Sequence, residues 1–337
     1  MVNPLADGGE GTVDALIEGL GAKKIPVTVT GPLGEKVSCY YGFLEETKSA
    51  VMEMASAAGI TLVTKKDPLR ASTYGVGEMI ADALKRGCKN FIIGIGGSAT
   101  NDGGIGMLKA LGFEFFDEDG NDVGEGAAAL AKIEVIQTEN KNPLLSGAKF
   151  QIACDVKNPL CGKQGATYIF GPQKGVTEEQ KSKVDEAMKH YADVTKESLG
   201  CDFADCEGAG AAGGLGYAFL SYLAGELIPG VELILQATGL EEKMKNADVV
   251  VTGEGRLDAQ TVMGKAPVGV AALAKKYNAK VIAFAGSVAP EASVCNQAGI
   301  DAFFPIVRGV TTLEEAMKKE NAMENIAATA EQVFRLL

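Results

Sequence analysis

Carboxylates, cations and glycines gather in a few short stretches of this chain. Asp102, Asp155, Glu254 and Asp258 each stand in a segment that reads as a loop, where a carboxylate meets solvent or ligand. Lys163, Lys174, Arg256 and Lys265 could supply positive charge. Such a set suits phosphoryl transfer. That chemistry needs carboxylates for a divalent ion, cations for the moving charge and a base near the acceptor hydroxyl. By default each lysine is a solvated surface charge. Arg256, in a glycine-rich stretch at a strand end, is the cation best suited to function, because its planar fork clamps a carboxylate or phosphate in a way Lys cannot copy.

Four glycine-rich stretches surround these residues. They are Asp7-Gly8-Gly9-Glu10-Gly11-Thr12, Gly94 to Gly104, Gly208 to Gly216 and Thr252-Gly253-Glu254-Gly255-Arg256-Leu257-Asp258. A glycine loop between a strand and a helix aims unpaired N–H groups and the positive helix end at an anion. The second and fourth stretches have that context by sequence. The third could equally be glycines that let helices pack. None is a Walker A loop, since Gly264-Lys265 is followed by Ala266 and Gly162-Lys163 by Gln164. Gly94, Gly96 and Ala99 match the dinucleotide pattern, and Glu114 falls where its ribose-binding acid would lie. A nicotinamide-dependent oxidoreductase of a small hydroxy acid is therefore the rival reading.

Other chemistry is excluded by composition. The only histidine is His190, in a polar helical segment, so Ser–His or Cys–His triads and multi-histidine metal sites are ruled out. The seven cysteines are scattered, odd in number and without two-residue spacing, which suggests free thiols of a reducing, cytoplasmic compartment. A formal net charge of −12 gives no footprint for nucleic acid or an anionic membrane. The most apolar stretch, near Tyr217 to Leu235, is interrupted by Glu226, Pro229 and Glu232 and predicts no spanning helix.

The positioning elements alternate between strand and helix. Residues 91–96, 248–251, 280–285 and 302–306 read as buried strands, with helical stretches near 76–84, 268–277 and 313–336. Residues 25–30 and 36–44 alternate around Gly31-Pro32-Leu33-Gly34 and predict a hairpin, with 47–54 as a third strand. The expected fold class is α/β with two α/β domains. A Rossmann- or flavodoxin-like parallel-sheet domain is formed by both chain ends, 1–22 and 247–337, and a mixed α/β domain, 23–246, is inserted. Nothing indicates an oligomeric state.

Taken together, several motifs resemble the class I glycerate kinase family. They are ADGGEGT at 6–12, GIGGSATNDGG at 94–104, CDVKNPLCGKQGATYIFGPQKG at 154–175, GAGAAGGLG at 208–216 and TGEGRLDAQTVMGKAPVGVA at 252–271. The likeness spans the chain in order. It implies ATP and Mg²⁺ as cofactors, D-glycerate as substrate, ligands between two α/β domains, and 2-phosphoglycerate rather than 3-phosphoglycerate as the favoured product. Carried over, the motif positions are Asp7, Ser98, Asn101, Asp102, Asp155, Asn158, Glu254, Arg256, Asp258 and Lys265. We assign Asp155, Arg256 and Asp258 to catalysis, with Asp155 or Asp258 as base and the other as metal or orientation ligand. Substrate or nucleotide binding falls to Asp7, Gly8, Gly9, Ser98, Thr100, Asn101, Asp102, Asn158, Gly253, Glu254, Gly255 and Lys265. The family usually opens with a further strand–loop–helix unit carrying a DSFKGS-like loop, whereas Met1 here lies five residues before Ala6. The expectation is an N-terminally incomplete terminal domain, and a shortened non-catalytic relative is the third reading.

Overall fold

The structure, a computed structural model, describes residues 14, 17, 19–262 and 264–337. Asp7, Gly8 and Gly9 lie outside the described residues. The larger sheet uses β1 (Lys23–Thr30), β2 (Lys36–Leu44), β3 (Ser49–Glu53), β4 (Asn90–Gly94), β7 (Lys149–Ala153) and β8 (Glu226–Ile228), side by side in that order. The hairpin expected at 25–44 is present, with Val29 opposite Val37 and Gly34 in the left-handed conformation that closes the turn. Pairs β1–β2 and β2–β3 are antiparallel, whereas β3–β4, β4–β7 and β7–β8 are parallel. β5 (Glu114–Phe116) and β6 (Val135–Gln137) form a separate two-stranded ribbon.

Strand alternation sorts the side chains between the sheet's faces. Ala50, Met52, Phe91, Ile93, Phe150 and Ile152 enter the main core, under the helices Tyr74–Lys85 and Leu215–Leu223. Val51, with Ile92 beside it, faces the other way and meets Ile17 and Ile234. Asp14 bonds Lys24 and Tyr40, so the described N-terminal residues pack on this sheet.

A second sheet has the order β11 (Ala302–Pro305), β10 (Lys280–Val288), β9 (Val249–Leu257), all parallel. In the central β10, Val281 to Ala285 are all buried, as expected of a strand covered on both faces. Its core also takes in Val231, Leu235, Leu240 and Met244. The helix Gly230–Ala237 therefore serves both cores, since Leu233 and Ile234 pack with residues of the first sheet.

Two sequence expectations are corrected. Residues 252–257 are not a loop after a short strand. β9 continues to Leu257, with Arg256 opposite Ser287, and glycine lets Gly253 lie where a Cβ would come within 2.2 Å of the Phe284 carbonyl. The C-terminal helical stretch is broken at Lys318 into Leu313–Met317 and Lys319–Phe334.

Candidate active site

The first group of predicted residues stands at the carboxyl ends of β4 and β7, where Gly94 pairs with Ala153. Crevices at the ends of parallel strands are the usual ligand position in open α/β sheets. A cavity of about 320 Å³ opens there. Its walls include Gly96, Gly97 and Ser98 after β4, Asp155 after β7, and Gln173 and Lys174 from the helix Ala166–Lys174. Backbone bonds fix the first wall: Ile60 N donates to Gly97 O (2.8 Å) and Ala99 N to Ala58 O (2.9 Å).

Lys174 is the last residue of its helix, which Gly175 ends with a φ of 104°. The side chain is buried, at 2% exposure. Its Nζ donates to Ser98 Oγ (2.5 Å) and to the Thr100 carbonyl (2.6 Å). Burial pulls the ammonium down to about 7, against a weaker upward pull from Asp102.

Three predicted residues of the same loop lie deeper. Thr100, Asn101 and Asp102 are fully buried. Asp102 accepts from Thr73 N and Thr73 Oγ1, both at 2.8 Å, and from the amides of Gly104 (3.1 Å) and Gly106 (3.3 Å). Burial raises its pKa, and these bonds oppose the rise. Asn101 Nδ2 donates to Thr167 Oγ1 (3.0 Å). The third glycine stretch packs against this loop: a Cβ on Gly213 would come within 2.2 Å of the Thr100 carbonyl. Asn158 donates to the Gln164 carbonyl (2.7 Å) and shapes the loop after Asp155.

The second group lies at the end of β9. Glu254 and Arg256 share one side by strand alternation, and Asp258 follows just past the strand's end. Thr261 Oγ1 donates to Glu254 Oε1 (2.5 Å) and accepts from Asp258 N (3.1 Å). Lys265 Nζ stands 3.6 Å from Glu254 Oε2, and Arg256 Nε 3.7 Å from Asp258 Oδ2. Arg256 is 67% exposed. Gly253 and Gly255 are strand residues here.

Asp155 connects the groups through the chain. Its Oδ1 accepts from Gly230 N (2.8 Å), the first residue of the helix shared by both cores. That helix packs on Ala266–Lys275, which starts immediately after Lys265. Thus the structure brings Ser98 and Asp155 to one cavity and Glu254, Arg256, Asp258 and Lys265 to one strand end. Lys174 was visible in sequence only as a lysine near glycines, and nothing local signalled its burial.

Among the described residues no three His, Cys, Asp or Glu side chains form a ready metal cage. The oxygen donors of Asp155 and Asp258 still suit Mg²⁺, which keeps water and phosphate oxygens among its ligands and needs only one or two carboxylates. The dinucleotide reading fares worse. The helix after the Gly94 loop begins only at Ile105, and Glu114 lies on the separate ribbon, accepting from Asn140 Nδ2 (2.8 Å). His190 Nε2 contacts the Ile133 carbonyl (2.7 Å) and lies 3.8 Å from Glu134 Oε1, and among the described residues no Ser or Cys side chain is bonded to it. All seven cysteines are free thiols, and no described helix is long and apolar enough to cross a membrane.

Comparisons with known proteins bear on the family and the fold. The family model described as "Glycerate kinase family" matches residues 1–337. A glycerate kinase of Bacillus subtilis (strain 168) is 46% identical over 332 residues, 98% of this chain and 86% of that protein. A glycerate 2-kinase of Escherichia coli (strain K12) is 46% identical over 333 residues, 97% of this chain and 87% of that protein. The crystal structure of a candidate glycerate kinase 2 from Salmonella typhimurium LT2 superposes with a TM-score of 0.88 at 43% identity, covering 99% of this chain and 89% of that one. With family-wide coverage in sequence and a matching two-domain α/β fold, this chain belongs to the glycerate kinase family.

Proposed function

We propose that the protein transfers the γ-phosphoryl group of ATP to a hydroxyl of D-glycerate, forming 2-phosphoglycerate and ADP. The observation that carries this reading is the small cavity at the strand ends, with a buried cation on one wall and Asp155 on another. It suits a small anionic acceptor.

In this reading Asp155 or Asp258 takes the proton of the attacking hydroxyl. The new bond joins that oxygen to the γ-phosphorus, and the bond from the γ-phosphorus to the β–γ bridging oxygen breaks. Arg256 neutralises the charge on the transferring oxygens, a task for which its planar fork is suited. Mg²⁺, when bound, offsets the charge of the phosphates, held by whichever of Asp155 and Asp258 is not the base. Glu254 orients Lys265 toward the same strand end, and the paired charges there leave the nucleotide phosphates a polar seat. The division between the units, expected at residues 246 and 247, is proposed instead to fall within the helix Gly230–Ala237, because that helix belongs to both cores.

An assay coupling ADP release to D-glycerate, with the product identified by phosphorus NMR, tests the reading. ADP release that needs D-glycerate and a divalent ion, with 2-phosphoglycerate accumulating, is expected. Turnover that survives EDTA without added metal contradicts the metal assignment. Absence of glycerate-dependent turnover contradicts the whole proposal.

A further inference from the structure

We infer that Lys174 and Ser98 form an anion subsite that takes the carboxylate of the small acid acceptor. The inference rests on the proposed function and adds to it a residue that the phosphoryl-transfer steps above leave unused.

Lys174 is almost wholly buried, yet among the described residues its hydrogen-bond partners include no carboxylate, and Asp102 acts on it only at longer range. Both of its acceptors are neutral oxygens, Ser98 Oγ and the Thr100 carbonyl. An ammonium carries three N–H donors, so one is left without an acceptor among the described residues. A buried ammonium with no carboxylate beside it keeps its charge at a cost, which an anion that meets it would offset. Both Lys174 and Ser98 line the cavity. Ser98 accepts from Lys174, which leaves its own O–H able to donate to a ligand. Two donors on adjacent walls thus match the two oxygens of a carboxylate.

The wall geometry is held in advance of binding. Ser98 is fixed by the backbone bonds on either side of it, and Lys174 by the end of its helix at Gly175. At about 320 Å³ the cavity stands at the lower end of small-molecule sites, which favours a three-carbon acid over a nucleotide. The chain carries a net charge of −12, so an anionic acceptor must be drawn by local donors such as these.

The test compares wild type, Lys174→Met and Ser98→Ala in steady-state kinetics and in calorimetric titrations with D-glycerate, inorganic phosphate and a non-hydrolysable ATP analogue. For Lys174→Met the glycerate KM should rise on the order of 30-fold or more, as for loss of one partner of a buried charged pair, while the nucleotide KM stays within about threefold. Ser98→Ala should raise it on the order of tenfold. Glycerol, in which the carboxylate becomes a CH₂OH group, supplies a readout that a structural role would not move. The wild-type preference for glycerate over glycerol should collapse in Lys174→Met. If Lys174→Met fails to fold by circular dichroism, Ser98→Ala alone decides. An unchanged glycerate KM with weakened nucleotide or phosphate binding would overturn the inference while leaving the proposed function standing. No turnover by the wild type would overturn the proposed function, whereas calorimetric glycerate binding lost in Lys174→Met would still support the subsite.

Discussion

The cavity at the ends of β4 and β7 and the charged cluster at the end of β9 treat charge in opposite ways. In the cavity, Lys174 is buried against neutral oxygens, and its loop is pinned by backbone bonds and close glycine contacts. At β9, Arg256, Asp258, Glu254 and Lys265 neutralise one another, with Arg256 largely exposed. Loose pairs at 3.6 and 3.7 Å, one of them to a largely exposed arginine, contribute little to stability and rearrange easily. The difference separates a rigid, pre-built pocket from a set of charges able to regroup around a ligand.

The pH dependence of stability gives the largest test of the first half of that contrast. Lys174 in the fold is depressed to about 7 from an unfolded value near 10.5. Between those values the unfolded chain holds a proton that the folded chain has lost, so stability rises with pH through this window. Below pH 7 both states are protonated and the burial penalty is complete; above 10.5 both are neutral and it is gone. Relative to Lys174→Met, the wild type should gain about 1 kcal/mol per pH unit from pH 7 to 9, read from urea midpoints. Parallel profiles for the two proteins would mean that the ammonium is solvated and the cavity less rigid than described.

A backbone change probes the same rigidity. Gly213 has a φ of 70°, and a Cβ there would come within 2.2 Å of the Thr100 carbonyl. Gly213→Ala should cost about 2–4 kcal/mol of stability, because neither the backbone conformation nor the contact can relax cheaply. A cost below about 0.5 kcal/mol, the range of an ordinary surface substitution, would show that the two glycine loops move apart easily.

At β9 the effect should appear in catalysis and not in stability. Arg256→Lys is expected to lower kcat on the order of 10²-fold, as for other transition-state contacts, with a stability change within about 0.5 kcal/mol. Near-wild-type turnover would remove Arg256 from the catalytic set. Equal losses of activity and stability would place it in the scaffold and erase the contrast between the regions.

Local pattern made much of this molecule readable before its structure. The hairpin at 23–44, the strands β4, β10 and β11 and the long helix Glu178–Leu199 all follow from periodicity and turn residues, which act over a few neighbours. Motif order across the whole chain pointed to the family, since composition alone left a hydride-transfer reading open. Some features could not be read this way. Residues 252–257 looked like a glycine loop because their strand partners, Ala283 to Val288, lie about thirty positions away in sequence. The helix Gly230–Ala237 gives no local sign that its opposite sides join different cores.

The sequence by itself determined most of the element types and the set of chemical groups available, with a single histidine among them, because these depend on residue identity and short spacing. Only the tertiary structure decided which charges are buried and which are paired. It placed Asp102 among backbone amides, left Asp258 beside Arg256, and put Lys174 under a lid of neutral oxygens. The physical reason is that desolvation and ion pairing are set by atoms brought together from distant parts of the chain. Ser98 and Lys174 are 76 residues apart, and no window of sequence contains both the ammonium and the hydroxyl that meets it.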